Sequence, residues 1–185
     1  MYNLNNINVA KFYRLNESQA AGYMELSKIL NPKGIFCKKP AKSFYGLEFG
    51  QVSVIKATIL KPTYAGLVQA FELVFGTPES KQKKAGIVEY FHALKYLTLE
   101  VEKILKRESK ALTGKQDPFL EMAGADRLAI FGELPALKLI GMQYGKLPNE
   151  IASLPYSLVF SLIYLEAVEA DVRERYNELK NSKKW

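Results

Sequence analysis

His92 is the only histidine of the chain, and it stands three residues after Glu89. Residues at this spacing share one face of a helix, where a carboxylate could orient an imidazole that acts as a general base. The sequence offers no matching nucleophile, because it has neither a G-x-S-x-G elbow nor a phosphate loop ending in G-K-S or G-K-T. We therefore interpret His92 as a structural or solvent-exposed residue and predict a protein that is not an enzyme.

Three glutamates near the end of the chain, Glu166, Glu169 and Glu174, could suggest a metal-binding helix. Di-iron bundles combine such residues with histidines in Glu-x-x-His pairs, and no histidine follows His92. One histidine and one cysteine are also too few for the usual zinc ligand sets. We interpret these carboxylates as solvated helix charges and predict neither a metal nor another cofactor.

Lysines and aromatic residues alternate between residues 33 and 45. Lysines neutralise phosphates and aromatic rings stack on bases, so a weak nucleic-acid site is one interpretation. The stretch has no arginine for bidentate recognition of a base, so such contact would have little sequence specificity. We favour a solvated basic loop that its aromatic residues anchor to the core. The residues of the alternative nucleic-acid site are Lys38, Lys39, Lys42, Phe44 and Tyr45.

Cys37 lies in the same lysine-rich stretch and is the only cysteine, which excludes an internal disulfide. Neighbouring positive charge could activate its thiol. An incidental cysteine in a reducing cytoplasm is the simpler interpretation.

Composition and charge indicate a globular chain with two differently charged regions. The apolar fraction of 48% is enough for a real core, and no run of about 18 apolar residues suggests a membrane span. Residues 1–115 hold 18 Lys and Arg against 9 Asp and Glu, whereas residues 116–185 hold 8 against 10. We expect a basic N-terminal helical region, 1–115, and a C-terminal helical region, 116–185, packed as one domain in the cytoplasm without membrane contact.

Hydrophobic periodicity predicts helices along most of the chain. The expected fold is an all-α globular bundle of six to eight helices. The segment 47–60 could also be a strand, but the absence of a second convincing strand favours a helix. Five glycines follow aromatic residues, and we expect at least three of them to end helices in the left-handed conformation. The predicted helices cover about 17–30, 47–60, a stretch that begins near Pro62, 83–108, a stretch that begins at Asp117-Pro118, and 155–180.

Two Leu-Pro pairs, Leu147-Pro148 and Leu154-Pro155, stand seven residues apart before the last helix. Proline is tolerated best in the first turn of a helix, so the pairs predict a two-step helical corner with both leucines buried. The helix that follows is expected to bury Leu158, Leu162, Leu165, Val172, Tyr176 and Leu179. A charged strip on its outer face, formed by Glu166, Glu169 and Arg173, would then be free to bind a partner or a second copy of the chain.

The stretch "YGKLPNEIASLPYSLVF" and the charged helix after it resemble the C-terminal part of small helical tail-assembly chaperones from tailed bacteriophages. The matching residues are Gly145, Pro148, Glu150, Leu154 and Pro155, and the resemblance covers about 50 of the 185 residues. It implies a phage assembly or structural protein that acts through protein–protein contacts in the host cytoplasm. Such chaperones coat the hydrophobic helix of a tape-measure protein and recruit tail-tube subunits. The alternatives are a structural component of the virion, a basic nucleic-acid-binding module, and an enzyme with a site assembled from scattered residues.

Overall fold

Helices form most of the chain in the computed structural model, which describes residues 7–112 and 122–182. Nine α-helices lie in these ranges, and six of them have seven or more residues. The predicted all-α fold is therefore confirmed, while the helix start predicted at Asp117-Pro118 lies outside the described residues. The α-helices are α1 (Val9–Phe12), α2 (Glu17–Ile29), α3 (Phe49–Leu60), α4 (Tyr64–Phe75), α5 (Glu79–Gln82), α6 (Ile87–Leu112), α7 (Leu134–Tyr144), α8 (Pro148–Ala152) and α9 (Tyr156–Ser182).

The chain divides into two compact units. The N-terminal unit comprises Met1–Phe44 and Gln51–Leu105, and the C-terminal unit comprises Tyr45–Gly50 and Lys106–Trp185. The division falls within α6, ten residues before the boundary that charge and polarity suggested.

Aromatic side chains form the centre of the N-terminal unit. Phe36 and Phe71 are fully buried and cross edge to face at 4.8 Å, and the ring of Tyr90 stacks on Phe71 at 4.7 Å. Such ring pairs stabilise a core beyond the apolar area that they bury. Gln82 is also buried, and its amide donates to the carbonyl oxygens of Val68 and Thr77 at 2.9 and 2.7 Å.

The lysine-rich stretch contains a small hairpin that the sequence did not predict. Its strands are β1 (Ile35–Phe36) and β2 (Lys39–Pro40), which pair antiparallel. The two residues between them, Cys37 and Lys38, have φ angles of 51° and 63°. This is the geometry of a type I′ turn, which usually takes Asn-Gly.

Three of the five aromatic–glycine pairs end helical segments, as predicted. Gly76, Gly132 and Gly145 have φ angles of 60°, 54° and 63° after α4, the 3-10 helix Ala125–Phe131 and α7. Gly50 instead lies in the first turn of α3. Gly76, Gly132 and Gly145 accept a left-handed conformation that L side chains rarely adopt.

Candidate functional site

The turn after α7 builds the first half of the predicted corner, within the C-terminal unit. The N–H of Lys146 donates to the carbonyl oxygen of Gly141 at 2.8 Å, which is the six-residue bond of a Schellman helix end. Gly145 supplies the left-handed residue of this motif. The chain therefore reverses within two residues of the last turn of α7.

The two prolines stand where the sequence predicts them. Pro148 is the first residue of α8, and the carboxylate of Glu150 accepts the N–H of Leu147 at 2.7 Å. Pro155 comes directly before α9, and its carbonyl oxygen accepts the N–H of Val159 at 3.1 Å. A first turn leaves its N–H groups without helical partners, so proline loses least there.

The segment before α3 holds the start of α9 in place. The N–H of Tyr156 donates to the carbonyl oxygen of Leu47 at 2.7 Å, and the N–H of Phe49 donates to Leu154 at 2.9 Å. These bonds form a short antiparallel bridge between two extended segments. The direction in which α9 leaves the corner is thus fixed by backbone hydrogen bonds.

Tyr156 anchors the first turn of α9. Its ring is fully buried and stacks on Phe49 and on Phe160, each at 5.8 Å. Its hydroxyl donates to the carboxylate of Glu108 at 3.0 Å, and burial, together with this carboxylate, raises the pKa of the phenol. The guanidinium of Arg107 lies 4.7 Å from the centre of the Phe160 ring, a cation–π contact.

An apolar groove lies beside the two turns, and we call it the corner groove. Its volume is about 210 Å³. A cavity of about 150 Å³ holds benzene, and small-molecule pockets usually measure about 300–1,000 Å³. The groove therefore suits one or two side chains of another protein better than a whole substrate. Its lining residues are Tyr144, Lys146, Ile151, Leu154, Leu158 and Leu162.

The prediction that both corner leucines are buried is wrong for Leu147, which is 64% exposed. Leu147 is the N-cap of α8 in an extended conformation, and it is Ile151, one turn later, that enters the core. Leu154 is partly exposed and lines the corner groove. The first leucine is therefore exposed, and Ile151 contributes the buried side chain of this turn.

The prediction that α9 buries a leucine-rich face along its whole length is also wrong. Only Tyr156, Val159 and Phe160 of this helix are buried. The core side of α9 is thus set by these three residues, and the predicted face lies on another side of the helix. Five of the six residues predicted to be buried are 46–63% exposed: Leu158, Leu165, Val172, Tyr176 and Leu179.

The three residues predicted to bind a partner lie near this exposed face. Glu166 accepts a hydrogen bond from the amide of Gln143 on α7 at 2.6 Å. Arg173 and Glu169 form the predicted i,i+4 ion pair at 3.5 Å, with both side chains largely in solvent. An exposed pair of this kind contributes at most about 1 kcal/mol to stability, so its charges remain available to a partner.

A second cavity, of about 290 Å³, separates α7 from α9. Glu166 is the only ionisable residue among the described residues that line it, and it is already bonded to Gln143. A substrate site needs several convergent polar groups, so this gap is better explained by the small side chains on both helices. Its lining residues are Ala136, Leu139, Ile140, Ile163, Glu166, Ala167 and Ala170.

The basic loop is anchored to the N-terminal unit by its aromatic residues, which is the interpretation that we favoured. Phe44 is only 3% exposed and therefore has no free face for a base. The side chains of Lys38, Lys39 and Lys42 are all exposed, and the ammonium group of Lys39 donates to the carbonyl oxygen of Gly76. In the C-terminal unit, Tyr45 is half exposed, and the guanidinium of Arg107 lies 5.3 Å from the centre of its ring.

His92 and Glu89 each form a hydrogen bond to the backbone of another segment instead of pairing with each other. The Nδ1 atom of His92 is hydrogen-bonded to the carbonyl oxygen of Asn31, and Glu89 accepts the N–H of Cys37 at 2.8 Å. Burial, followed by the charge of Glu89, raises the pKa of the Cys37 thiol. The neighbouring lysines therefore do not activate this cysteine.

Sequence reasoning did not predict the corner groove, because it expected Leu154, Leu158 and Leu162 to be buried. Leu158 and Leu162 are spaced four apart on α9 and therefore share one face, whereas Leu154 precedes this helix. Tyr144 and Lys146 come from the other side of the Gly145 turn, so only the folded chain brings them to the same groove.

Among residues 7–112 and 122–182, no three His, Cys, Asp or Glu side chains are grouped so that they could hold a metal ion. No helix in the described part of the chain is long and apolar enough to cross a bilayer. No protein-family model, curated protein or solved structure matches the chain.

Proposed function

We propose that this protein is a non-enzymatic assembly factor of a tailed phage, and that its corner groove binds an amphipathic helix of another protein. The observation that carries the proposal is the apolar groove at the Leu-Pro corner. Its volume of about 210 Å³ accommodates an anchoring side chain, and its lining is apolar apart from Lys146 and the hydroxyl of Tyr144. Helices recognised in grooves insert apolar residues at i, i+3 or i+4, and i+7 in this way.

The surroundings of the groove also suit a helical partner. Met142 is 72% exposed on α7, and Leu147 is exposed at the turn. Methionine has a flexible side chain that adapts to different apolar surfaces, so it can cover the flank of a bound helix. Lys146 adds a positive charge at the groove, which favours a partner helix with a carboxylate beside its apolar anchor.

The phage role rests on the resemblance of the corner to tail-assembly chaperones. The residues that carry the resemblance, among them Gly145, Pro148 and Glu150, are those that shape the turn, and Leu154 lines the groove. A chaperone for a tape-measure protein must present apolar surface to a long hydrophobic helix. The corner groove provides such surface, so we infer the tape-measure protein as the partner.

The test is co-expression of this chain with the tape-measure protein of the same phage genome, followed by gel filtration of the complex. Leu158→Asp places a carboxylate in the apolar groove and should weaken the complex at least about ten-fold, because an unpaired buried charge is costly. Ser161→Asp adds the same charge to an exposed position of α9 and should change binding less than about two-fold. Circular dichroism would confirm that both variants keep their helices.

Two results would contradict the proposal. One is a genome in which no tape-measure gene accompanies the gene for this chain. The other is equal binding of the tape-measure protein by the two variants. Salt-sensitive binding of DNA that is lost after Lys38, Lys39 and Lys42 are changed to Gln would instead identify the basic loop as a phosphate-binding element.

A further inference from the structure

The exposed face of α9 has the residue pattern of a coiled-coil seam. From Leu162 onward the spacings alternate between three and four residues, which is the heptad repeat of helices that pack along their length. The apolar side chains of this face are thus arranged in one line that Glu169 interrupts, in which Leu162 is half-buried and the others are exposed. We call this line the terminal strip, and its residues are Leu162, Leu165, Glu169, Val172, Tyr176 and Leu179.

We propose that the terminal strip is covered by α9 of a second copy of the chain, which runs antiparallel to the first. The two-fold axis would pass between Glu169 and Val172, so that each of these residues faces the other one in the second copy. Leu165 would then face Tyr176 of the second copy, and Leu162 would face Leu179. Every apolar residue of the strip thereby gains an apolar partner, except Val172, which faces the only charged residue.

The charges beside the strip complement each other in this arrangement. In an antiparallel pair, the position of Glu166 on one helix lies opposite that of Arg173 on the other, and symmetry makes this contact twice. Arg173 already reaches Glu169 of its own helix at 3.5 Å. It can therefore bridge Glu169 and Glu166 of the second copy, which gives the one charge within the strip a cationic neighbour.

A parallel pair would place like charges together. Glu169 would face Glu169 of the second copy inside the strip, and Arg175 would lie opposite Lys180 beside it. Like charges across an interface act against the orientation that creates them. The pattern of charge on α9 therefore selects the antiparallel orientation.

The strip is short, so the dimer should be weak. From Leu162 to Leu179 the helix rises about 26 Å, or less than three full heptads. Interfaces below about 1,200 Å² of total buried area are usually transient. We expect a dissociation constant of roughly 10–100 μM, which corresponds to monomers in dilute solution and dimers in concentrated solution.

Sedimentation equilibrium of the full chain, without any partner, tests whether the dimer forms through the strip. The wild-type chain should change from monomer to dimer as its concentration rises through the expected range. Val172→Asp should weaken the dimer more than about ten-fold, because it adds a second carboxylate opposite Glu169. Asn177→Asp adds the same charge outside the strip and should leave the equilibrium within about two-fold. A chain that stays monomeric, or a dimer that tolerates Val172→Asp, would overturn the proposal.

Charge reversal tests the orientation of the helices. Glu166→Lys or Arg173→Glu alone should weaken the dimer about ten-fold, because each turns two attractive contacts into two repulsive ones. The double variant should recover most of the loss. Gln143→Ala removes the partner of Glu166 on α7 and should leave the dimer unchanged. Failure of the double variant to recover would overturn the antiparallel arrangement.

The dimer and the proposed binding of a partner helix can fail separately. The dimer test uses Val172, Glu166 and Arg173, which lie outside the corner groove, and it needs no second protein. The groove test uses Leu158 and reads out only the complex with the tape-measure protein.

Discussion

Lys38→Gly should stabilise the protein, although it removes a side chain. Cys37 and Lys38 both have positive φ angles in the two-residue turn of the hairpin. The side chain of Lys38 is exposed, so its removal loses little packing. Glycine is the residue that a type I′ turn prefers at this position, because it has no Cβ to strain the left-handed backbone.

The magnitude follows from two opposing effects. An L residue in the left-handed region costs roughly 1–2 kcal/mol, and this cost is relieved in the folded state. Glycine also makes the unfolded chain more flexible, which lowers stability by about 0.4–1 kcal/mol. The net gain should therefore be about 0.5–1 kcal/mol, or an increase in Tm of about 1–4 °C for a chain of this length.

Thermal unfolding followed by circular dichroism measures the difference, and Lys42→Gly is the matched control. Lys42 belongs to the same loop, carries the same charge and is also exposed, but its φ is not positive. Lys42→Gly should therefore lower the stability by about 0.4–1 kcal/mol, because it increases the conformational entropy of the unfolded chain and relieves no strain in the folded one. If Lys38→Gly lowers the Tm as much as the control does, the turn does not hold Lys38 in a strained conformation.

Two further predictions concern the corner and the buried tyrosine. Gly141→Ala should destabilise the fold by about 1–3 kcal/mol, because the new Cβ would press against the carbonyl oxygen of Lys146. Gly46→Ala is the control: its Cβ meets no atom nearby, so its stability should be close to that of the wild type. Urea denaturation measures both variants. Burial raises the pKa of Tyr90, which is hydrogen-bonded to Tyr13 at 2.8 Å, so the folded state keeps this proton when the unfolded chain loses it above pH 10 or so. Above about pH 10, the free energy of unfolding should then fall by about 1.4 kcal/mol per pH unit for this group. Tyr90→Phe should make the alkaline decline of the Tm shallower. An unchanged slope would show that Tyr90 does not contribute to this decline.

Helix starts and ends could be predicted because they depend on a few neighbouring residues. Gly76 and Gly145 end helices because no other residue enters the left-handed region so easily, and Pro148 begins one because its missing N–H has no cost there. The predicted ranges of α3 and α9 agree with the structure within two residues at each end, although the period alone left α3 ambiguous between helix and strand. The hairpin escaped prediction because Cys37-Lys38 lacks the glycine or asparagine that marks such turns.

The candidate site was predicted only in part, for a physical reason. A line of apolar residues at heptad spacing predicts a face suited to packing, but it does not identify the surface that the face packs against. The sequence therefore predicted an apolar face from Leu158 to Leu179, and the expectation that the chain buries this face was wrong. Likewise, the Leu-Pro pairs predicted the corner. The exposed position of Leu147 depends instead on the direction that the backbone takes after the turn at Gly145.

The sequence by itself thus determined the all-α class, most helix boundaries and the charged pairs along α9, because each depends on contacts within a few residues. The tertiary structure decided which side of each helix meets the core, because burial depends on elements that are distant in sequence. Tyr156, stacked between Phe49 and Phe160 and bonded to Glu108, selects the core side of α9. The opposite choice would have buried the terminal strip and left this protein without its exposed apolar face.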